Sequence, residues 1–315
     1  MPDACDSLTD WLTASSGMVR GAVRELGRVT EQTTLAEGTC RLRIAAPQLA
    51  VRIRPGQFFM IRFPGRNDPL LGRSFALYDT RLNAHGQPVE FDFVYHVIGK
   101  VTGLLSHITP GDDVELWGPL GNGFPVCEAE HLICVGGGIG YTPFLAVARE
   151  AAGLRTYGAP PRPVDQRPRR ITLCYGVRSR KYRADLADFD GLPGFDIRIA
   201  TDDGSEGHHG FVTDLLQQAI GDASGSTAVY CCGPEPMMHA VARLCATHRV
   251  PCWLSLETPM ACGFGACFSC VTKVKVEEEP GWDYRRTCVE GPIFEASSLD
   301  LESTDPRVAA GCSSK

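Results

Sequence analysis

Three thiols, Cys262, Cys267 and Cys270, stand at a C-x4-C-x2-C spacing inside the stretch Met260 to Val271. No other feature restricts the fold as much, because a chain with this spacing curls round a 2Fe-2S cluster and must bring a fourth thiolate from elsewhere. Cys288 is placed to be that fourth ligand. Val271 to Val276 alternates apolar and polar residues like a half-buried strand, and Glu279-Pro280-Gly281 is a turn signature, so the chain can double back to deliver it. Gly263 and Gly265 suit a tightly curled backbone, since glycine reaches positive φ at little steric cost. A structural zinc site is the alternative, but it would call for a second Cys or His pair at knuckle spacing, and none accompanies Cys288. A disulfide framework belongs to short secreted chains, and nothing in the sequence looks secreted.

At 315 residues and 43% hydrophobic content the chain exceeds what one core organises, so two or three domains are expected. The net charge of -6 argues against a nucleic-acid or anionic-membrane surface, which would need clustered Lys and Arg. Of the fourteen cysteines, ten (5, 40, 127, 134, 174, 231, 232, 245, 252, 312) lie outside the cluster spacing. Several sit in apolar runs, where a thiol serves as a small buried hydrophobe in a reducing compartment. Residues 1–17 contain Asp3, Asp6 and Asp10 and lack the basic start and apolar core of a signal or transit peptide. No apolar run reaches transmembrane length. A cytoplasmic protein with no membrane or nucleic-acid partner is expected.

From Met18 to Pro125 short alternating runs separated by turn residues predict an antiparallel β-barrel. The strand candidates are Val19 to Val29, Arg41 to Ala45, Phe58 to Phe63, Ser74 to Tyr78, Glu90 to Ile98 and Val114 to Trp117, with a short helix over Gly103 to Ile108. Phe91, Phe93, Tyr95 and Val97 share one face. Beyond Pro125 the rhythm becomes strand then helix: strands over His131 to Gly136, Ile171 to Tyr175, Phe195 to Ile199 and Ala228 to Cys231, helices near Ala184, Val212 to Ile220 and Pro236 to His248. That predicts a doubly wound parallel sheet. The glycines at 136, 137, 138 and 140 form a strand-to-helix turn of the kind that offers amides to a phosphate, with Pro143 suited to a first helical turn. They do not form G-x-G-x-x-G, so the dehydrogenase fingerprint is absent. Tyr157 to Arg170, with four prolines and four arginines, predicts an exposed loop. The expected division is a tail at 1–17, a β-barrel at 18–126, an α/β domain at 127–250 and a cluster module at 251–315.

Specific segments add a resemblance. Pro69 to Leu77 and Pro119 to Pro125 resemble the flavin-binding segments of the ferredoxin reductase superfamily, in which an Arg-x-aromatic-Ser/Thr motif holds FAD. Arg73, Ser74, Phe75 and Ala76 occupy that motif. A guanidinium fork suits a diphosphate, and Ala76 stands where the family has Ser or Thr, removing one hydroxyl near the flavin. A second family segment, Tyr-Arg-x-x-Gly-x-Gly-Thr, has its equivalent in Val94 to Thr102, where Tyr95, Gly99 and Thr102 match and His96 and Val101 depart from it. The form of Gly138, Gly140, Thr142 and Pro143 resembles the family's nicotinamide loop. Cys232, Gly233 and Pro234 resemble its Cys-Gly-Pro motif, whose cysteine lies beside the nicotinamide.

In this order, and with Ser255 to Cys267 and Cys288 to Phe294, the chain is similar to the electron-transfer subunits of NAD-dependent dihydroorotate dehydrogenases. The resemblance implies FAD, a 2Fe-2S cluster on Cys262, Cys267, Cys270 and Cys288, and NAD(H). It also implies a catalytic partner subunit carrying FMN, in an assembly of two of each, that oxidises dihydroorotate in pyrimidine biosynthesis. Related hydrogenase chains share the layout, so an NAD(P)H module of another redox complex is the alternative. Asp202 and Asp203 point to NAD(H) by repelling a ribose phosphate, while Arg178, Arg180 and Lys181 would attract one.

Overall fold

The computed structural model describes residues 17–301. The expectations for the tail up to residue 16, and for Cys5 and Cys312, concern residues outside that range.

Seven antiparallel strands form the first sheet: β1 (Val23–Ala36), β2 (Thr39–Ala45), β3 (Phe58–Arg62), β4 (Arg73–Ala76), β5 (Asp79–Leu82), β6 (Pro88–His96) and β7 (Asp113–Leu120), in the order β4-β3-β7-β1-β2-β6-β5. Two short helices, α1 (Pro47–Ala50) and α2 (Lys100–Leu105), connect them. The sheet curls on itself, so Phe75 of β4 lies 4.8 Å from Phe93 of β6. Inside the curl Phe59, Phe91 and Phe93 pack edge to face at 4.7 and 5.3 Å. Each such side chain contributes about 1.5–3 kcal/mol by burial. The expected alternation holds in β6: Phe91, Phe93 and Tyr95 enter this core while Val94 enters that of the next domain, so β6 is covered on both faces.

The edges of these elements differ from expectation. β1 starts four residues later than expected and runs through the polar stretch to Ala36, because Thr-rich residues pair well across a hairpin with β2. Val19 instead gives its amide to the Phe264 carbonyl at 3.2 Å, joining the cluster loop. β5 carries no alternation and was not expected. α2 begins earlier than predicted because the Thr102 hydroxyl accepts the amides of Ile98 and Gly99, each at 3.0 Å, and so caps it.

The second sheet comprises β8 (His131–Gly137), β9 (Arg170–Val177), β10 (Phe195–Thr201), β11 (His208–His209), β12 (Thr227–Cys232), β13 (Cys252–Ser255) and β16 (Ile293–Glu295), in the order β11-β10-β9-β8-β12-β13-β16. All neighbours are parallel except β13 and β16. Helices α3 (Phe144–Ala151), α4 (Val212–Gly221) and α5 (Glu235–His248) cover it. In β8, Leu132 and Cys134 face one core and Ile133 and Val135 the other. Burial on both faces explains the unbroken apolar runs and the buried thiols among them. The remaining β14 (Val271–Lys275) and β15 (Trp282–Arg286) form a two-stranded ribbon.

Three further differences have local causes. The helix expected near Ala184 is two single turns, Arg180–Tyr182 and Ala187–Phe189. There the backbone is tied to the barrel instead, with Glu37 N donating to Lys181 O at 3.3 Å and Asp185 N to Leu35 O at 2.9 Å. The loop 157–170 is anchored rather than wholly exposed: Tyr157 is buried and donates to Asp79 at 2.6 Å, and Arg162 pairs with Glu150 at 2.5 Å. The boundary expected at 251 cuts a hydrogen-bonded sheet, since β13 and β16 extend the second sheet beyond β12.

A charged seam joins the two large units. Arg149 of α3 pairs with the fully buried Asp79 of β5 and donates to Asp188 O at 3.1 Å. Arg41 of β2 pairs with the Asp188 carboxylate at 2.6 Å, and Tyr78 donates to it at 3.1 Å.

Candidate functional site

The order of the second sheet reverses between β8 and β12, where a doubly wound sheet opens a cleft beyond the carboxyl ends of its strands. A cleft of about 710 Å³ lies there. Gly137 at the end of β8 with Gly138 and Ile139 after it, Arg178 after β9, Asp202 after β10, and Gly233 and Pro234 after β12 line one side, and Thr39, His96 and Ile98 of the barrel line the other. Its two walls therefore come from different domains.

Close packing requires the glycines here. A Cβ on Gly140 would stand 2.1 Å from the Cys232 carbonyl oxygen, and one on Gly137 2.5 Å from the Met237 sulfur. Gly138, at φ +54°, has no atom within 4 Å of where its side chain would project, leaving that face of the loop open. Thr142 is buried, and Pro143 is the cap of α3 rather than within its first turn. Gly138 to Tyr141 form a single 3-10 turn before the helix. Cys232 is buried, and burial pushes its thiol up to about 12, so it is neutral. Glu257, just past β13, was not singled out from sequence. Its side chain is exposed at the cleft, and partial desolvation by the neighbouring protein raises its carboxyl above the usual carboxylate range.

The barrel residues matched to flavin segments fall into two groups. Arg73 is exposed and has no carboxylate partner among the described residues; its Nη1 donates to the carbonyls of Leu71 and Gly72 at 3.2 and 3.0 Å. Ser74, Phe75 and Ala76 follow it, half-buried, on edge strand β4. His96 meets the Thr39 hydroxyl at 3.1 Å in the cleft wall. The others are committed elsewhere: the Tyr95 hydroxyl accepts from Gln32 at 2.9 Å in the barrel core, Val101 is in that same core, Val94 is buried against the α/β unit, and Thr102 caps α2.

All four cysteines of the spacing motif come together, as two pairs. Cys270 and Cys288 are buried with their sulfurs 3.2 Å apart, while Cys262 neighbours the exposed Cys267. The Ser269 hydroxyl, 3.2 Å from Cys267, and Cys262 lower the Cys267 thiol to about 6, so it ionises near neutrality. In the buried pair the hydrogen bond between the thiols favours ionisation of one of them. No set of three or more His, Cys, Asp or Glu among the described residues is gathered for a single metal ion; the arrangement is two by two. The loop rests on the barrel. Cys270 and Cys288 pack with Phe58, Met60 and Leu120, Trp117 Nε1 donates to Cys262 O at 2.8 Å, and Gly121 N donates to Cys288 O at 3.1 Å. Gly263 at φ +78° and Gly265 at φ +101° make the curl, and a Cβ on Gly263 would meet Met60 at 2.7 Å. Phe264 turns inward with this cluster of side chains, whereas Phe268 is 62% exposed.

Residues 257–300 match the iron–sulfur cluster binding domain of dihydroorotate dehydrogenase B, and residues 134–243 match the oxidoreductase NAD-binding domain. The electron transfer subunit of dihydroorotate dehydrogenase B (NAD(+)) from Geobacillus thermodenitrificans is 34% identical over 284 residues, 88% of this chain and 99% of that one. The one from Caldanaerobacter subterraneus subsp. tengcongensis is 33% identical over 245 residues, 78% of this chain and 86% of that one. This chain belongs to the dihydroorotate dehydrogenase B electron transfer subunits. It is an oxidoreductase subunit, and the fold agrees. A chain of the NADH-dependent reduced ferredoxin-NADP oxidoreductase, described for flavin-based electron bifurcation, superposes with a TM-score of 0.74 at 25% identity, covering 91% of this chain and 94% of that one. A ferredoxin NADP+ reductase from Neisseria gonorrhoeae shares the fold at a TM-score of 0.56 and 16% identity, covering 71% and 91%. Among dihydroorotate dehydrogenase B electron transfer subunits, then, this member sets its thiol pairs directly against the barrel, and the barrel against the nucleotide cleft.

Proposed function

We propose that this chain relays electrons from an FMN-bearing catalytic subunit, which oxidises dihydroorotate, to NAD+, through a 2Fe-2S cluster and FAD. The observation that carries the reading is contiguity: the thiol pairs pack on β3 and β7, and the same barrel forms one wall of the nucleotide cleft. Membership in a family of electron transfer subunits and the flavin-based structural relative at 25% identity support it.

The residues present fit these groups. Two thiol pairs suit two irons, with Cys262 and Cys267 on one and Cys270 and Cys288 on the other. Arg73, free of carboxylates among the described residues, suits the FAD diphosphate, with Ser74, Phe75 and Ala76 beside it and His96 across the cleft wall. Val94, Tyr95, Val101 and Thr102 support that wall from within. Gly138, Gly140, Thr142, Pro143, Gly233 and Pro234 form the nicotinamide end, with Cys232 behind it. NAD(H) is the nicotinamide cofactor: Asp202 and Arg178 both line the cleft and pull in opposite directions, and the relatives named for NAD(+) tip the choice. When bound, the cluster exchanges single electrons, nicotinamide exchanges a hydride, and the flavin joins the two.

Phe268, exposed at the tip of the cluster loop, marks where the partner docks, since aromatic residues are favoured at interface centres. The assembly holds two of each subunit, in the cytoplasm; no helix among the described residues is long and apolar enough to cross a membrane. The test is reconstitution. The isolated chain should reduce artificial acceptors with NADH and leave dihydroorotate untouched, and addition of the FMN subunit should couple dihydroorotate oxidation to NAD+ reduction. Dihydroorotate oxidation by the isolated chain would overturn the relay, and stable capture of a hydrogenase subunit in its place would assign the chain to another complex.

A further inference from the structure

Arg286 ends β15 two residues before Cys288, and its guanidinium joins both arms of the thiol loop. Nη1 donates to the Gly265 carbonyl at 3.0 Å, and the guanidinium lies over the Phe268 ring, 4.8 Å from its centroid. Nη2 and Nε reach the Glu290 carboxylate at 2.7 and 3.4 Å. The backbone repeats the connection. Glu290 also accepts the Arg286 amide at 2.8 Å, and the Arg286 carbonyl accepts the amides of Val289 and Glu290 at 3.1 and 2.9 Å, closing the turn that carries Cys288. Only 14% of the Arg286 side chain is exposed, so water screens its charge poorly.

Resting on the cluster assignment above, we propose that the Arg286–Glu290 pair sets the reduction potential of the cluster, and that Arg286 is also the positioning residue that holds the Gly265 arm to the Cys288 turn. Reduction adds one negative charge to the cluster, so a fixed cation beside it favours the reduced form and a fixed anion opposes it. Glu290 restrains the pull of Arg286. Removing either member must therefore move the potential, and in opposite directions. A purely structural pin would not produce that pair of signs.

Potentiometric titration of the full-length, iron-loaded protein, followed by the electron paramagnetic resonance signal of the reduced cluster, tests this. Arg286→Gln should make reduction harder by roughly tenfold in the equilibrium constant, about 59 mV for one electron, and Glu290→Gln should make it easier. Arg286→Lys, which keeps the charge without the fork, should stay nearer the wild-type potential than Arg286→Gln does. Should Arg286→Gln lose its iron, the Glu290→Gln shift still decides. A Glu290→Gln potential that is unchanged or lowered would overturn the inference while leaving the relay intact. A wild-type protein with no such signal would overturn both.

Discussion

Glu257 brings a carboxyl to the edge of a cleft whose enclosing protein raises it above the usual carboxylate range. In the unfolded chain the same group ionises at its ordinary value, so the folded protein binds the proton more tightly. Its contribution to stability is fully present below the ordinary carboxylate range and is lost as pH rises through the raised value. Glu257→Gln should therefore melt with wild type in acid and above it at neutral pH, with the gap widening between the two; calorimetry across pH reads this, and a constant gap would refute it. The residue lay inside a segment already singled out by resemblance, yet nothing in its immediate sequence marks it, because its surroundings come from strand ends distant in the chain. The thiols were legible for the opposite reason. Three of the four proposed ligand positions lie within nine residues, and a ribbon returns the fourth, so local spacing carries the geometry. Tyr95 and Thr102 show what a motif match leaves unsaid: both occupy matching positions, but their hydroxyls are spent on Gln32 and on the start of α2.

At the scale of elements, the β8-to-α3 connection works because its glycines let two strand ends meet. Gly140→Ala would set a methyl group 2.1 Å from the Cys232 carbonyl, too close to persist without moving backbone. A stability cost of about 1–3 kcal/mol is expected, with NADH bound more weakly because the loop backbone is displaced. Denaturation and NADH titration of the variant check both. Strands such as β6 and β8 were readable because alternation or an unbroken apolar run reports which faces are covered. β5 and the turns near Ala184 were not, because tertiary partners set their conformation: β5 pairs with β6, and the 180–189 segment hydrogen-bonds to the β1–β2 hairpin.

In the whole molecule, relay geometry depends on the barrel and nucleotide sheet holding one orientation. The seam through Asp79, Arg149 and Tyr157 supplies that. Asp79→Asn leaves Arg149 without its buried carboxylate, and breaking such a pair from one side costs about 3–5 kcal/mol. Chemical denaturation should show the loss, and a variant as stable as wild type would mean that the seam contributes nothing. None of this pairing was visible in sequence, where its partners are separated by 70 and 78 positions. The division into barrel, parallel sheet and thiol loop was visible, but β13 and β16 tie the last to the second sheet. The relay itself is tested most directly by anaerobic titration of the isolated chain with NADH, following flavin absorbance and the magnetic signal of the reduced cluster together, in wild type and Cys288→Ser. The account predicts that NADH bleaches the flavin in both proteins and reduces the cluster in wild type alone; cluster reduction that persists in Cys288→Ser, or that proceeds after the flavin has been removed, would contradict it.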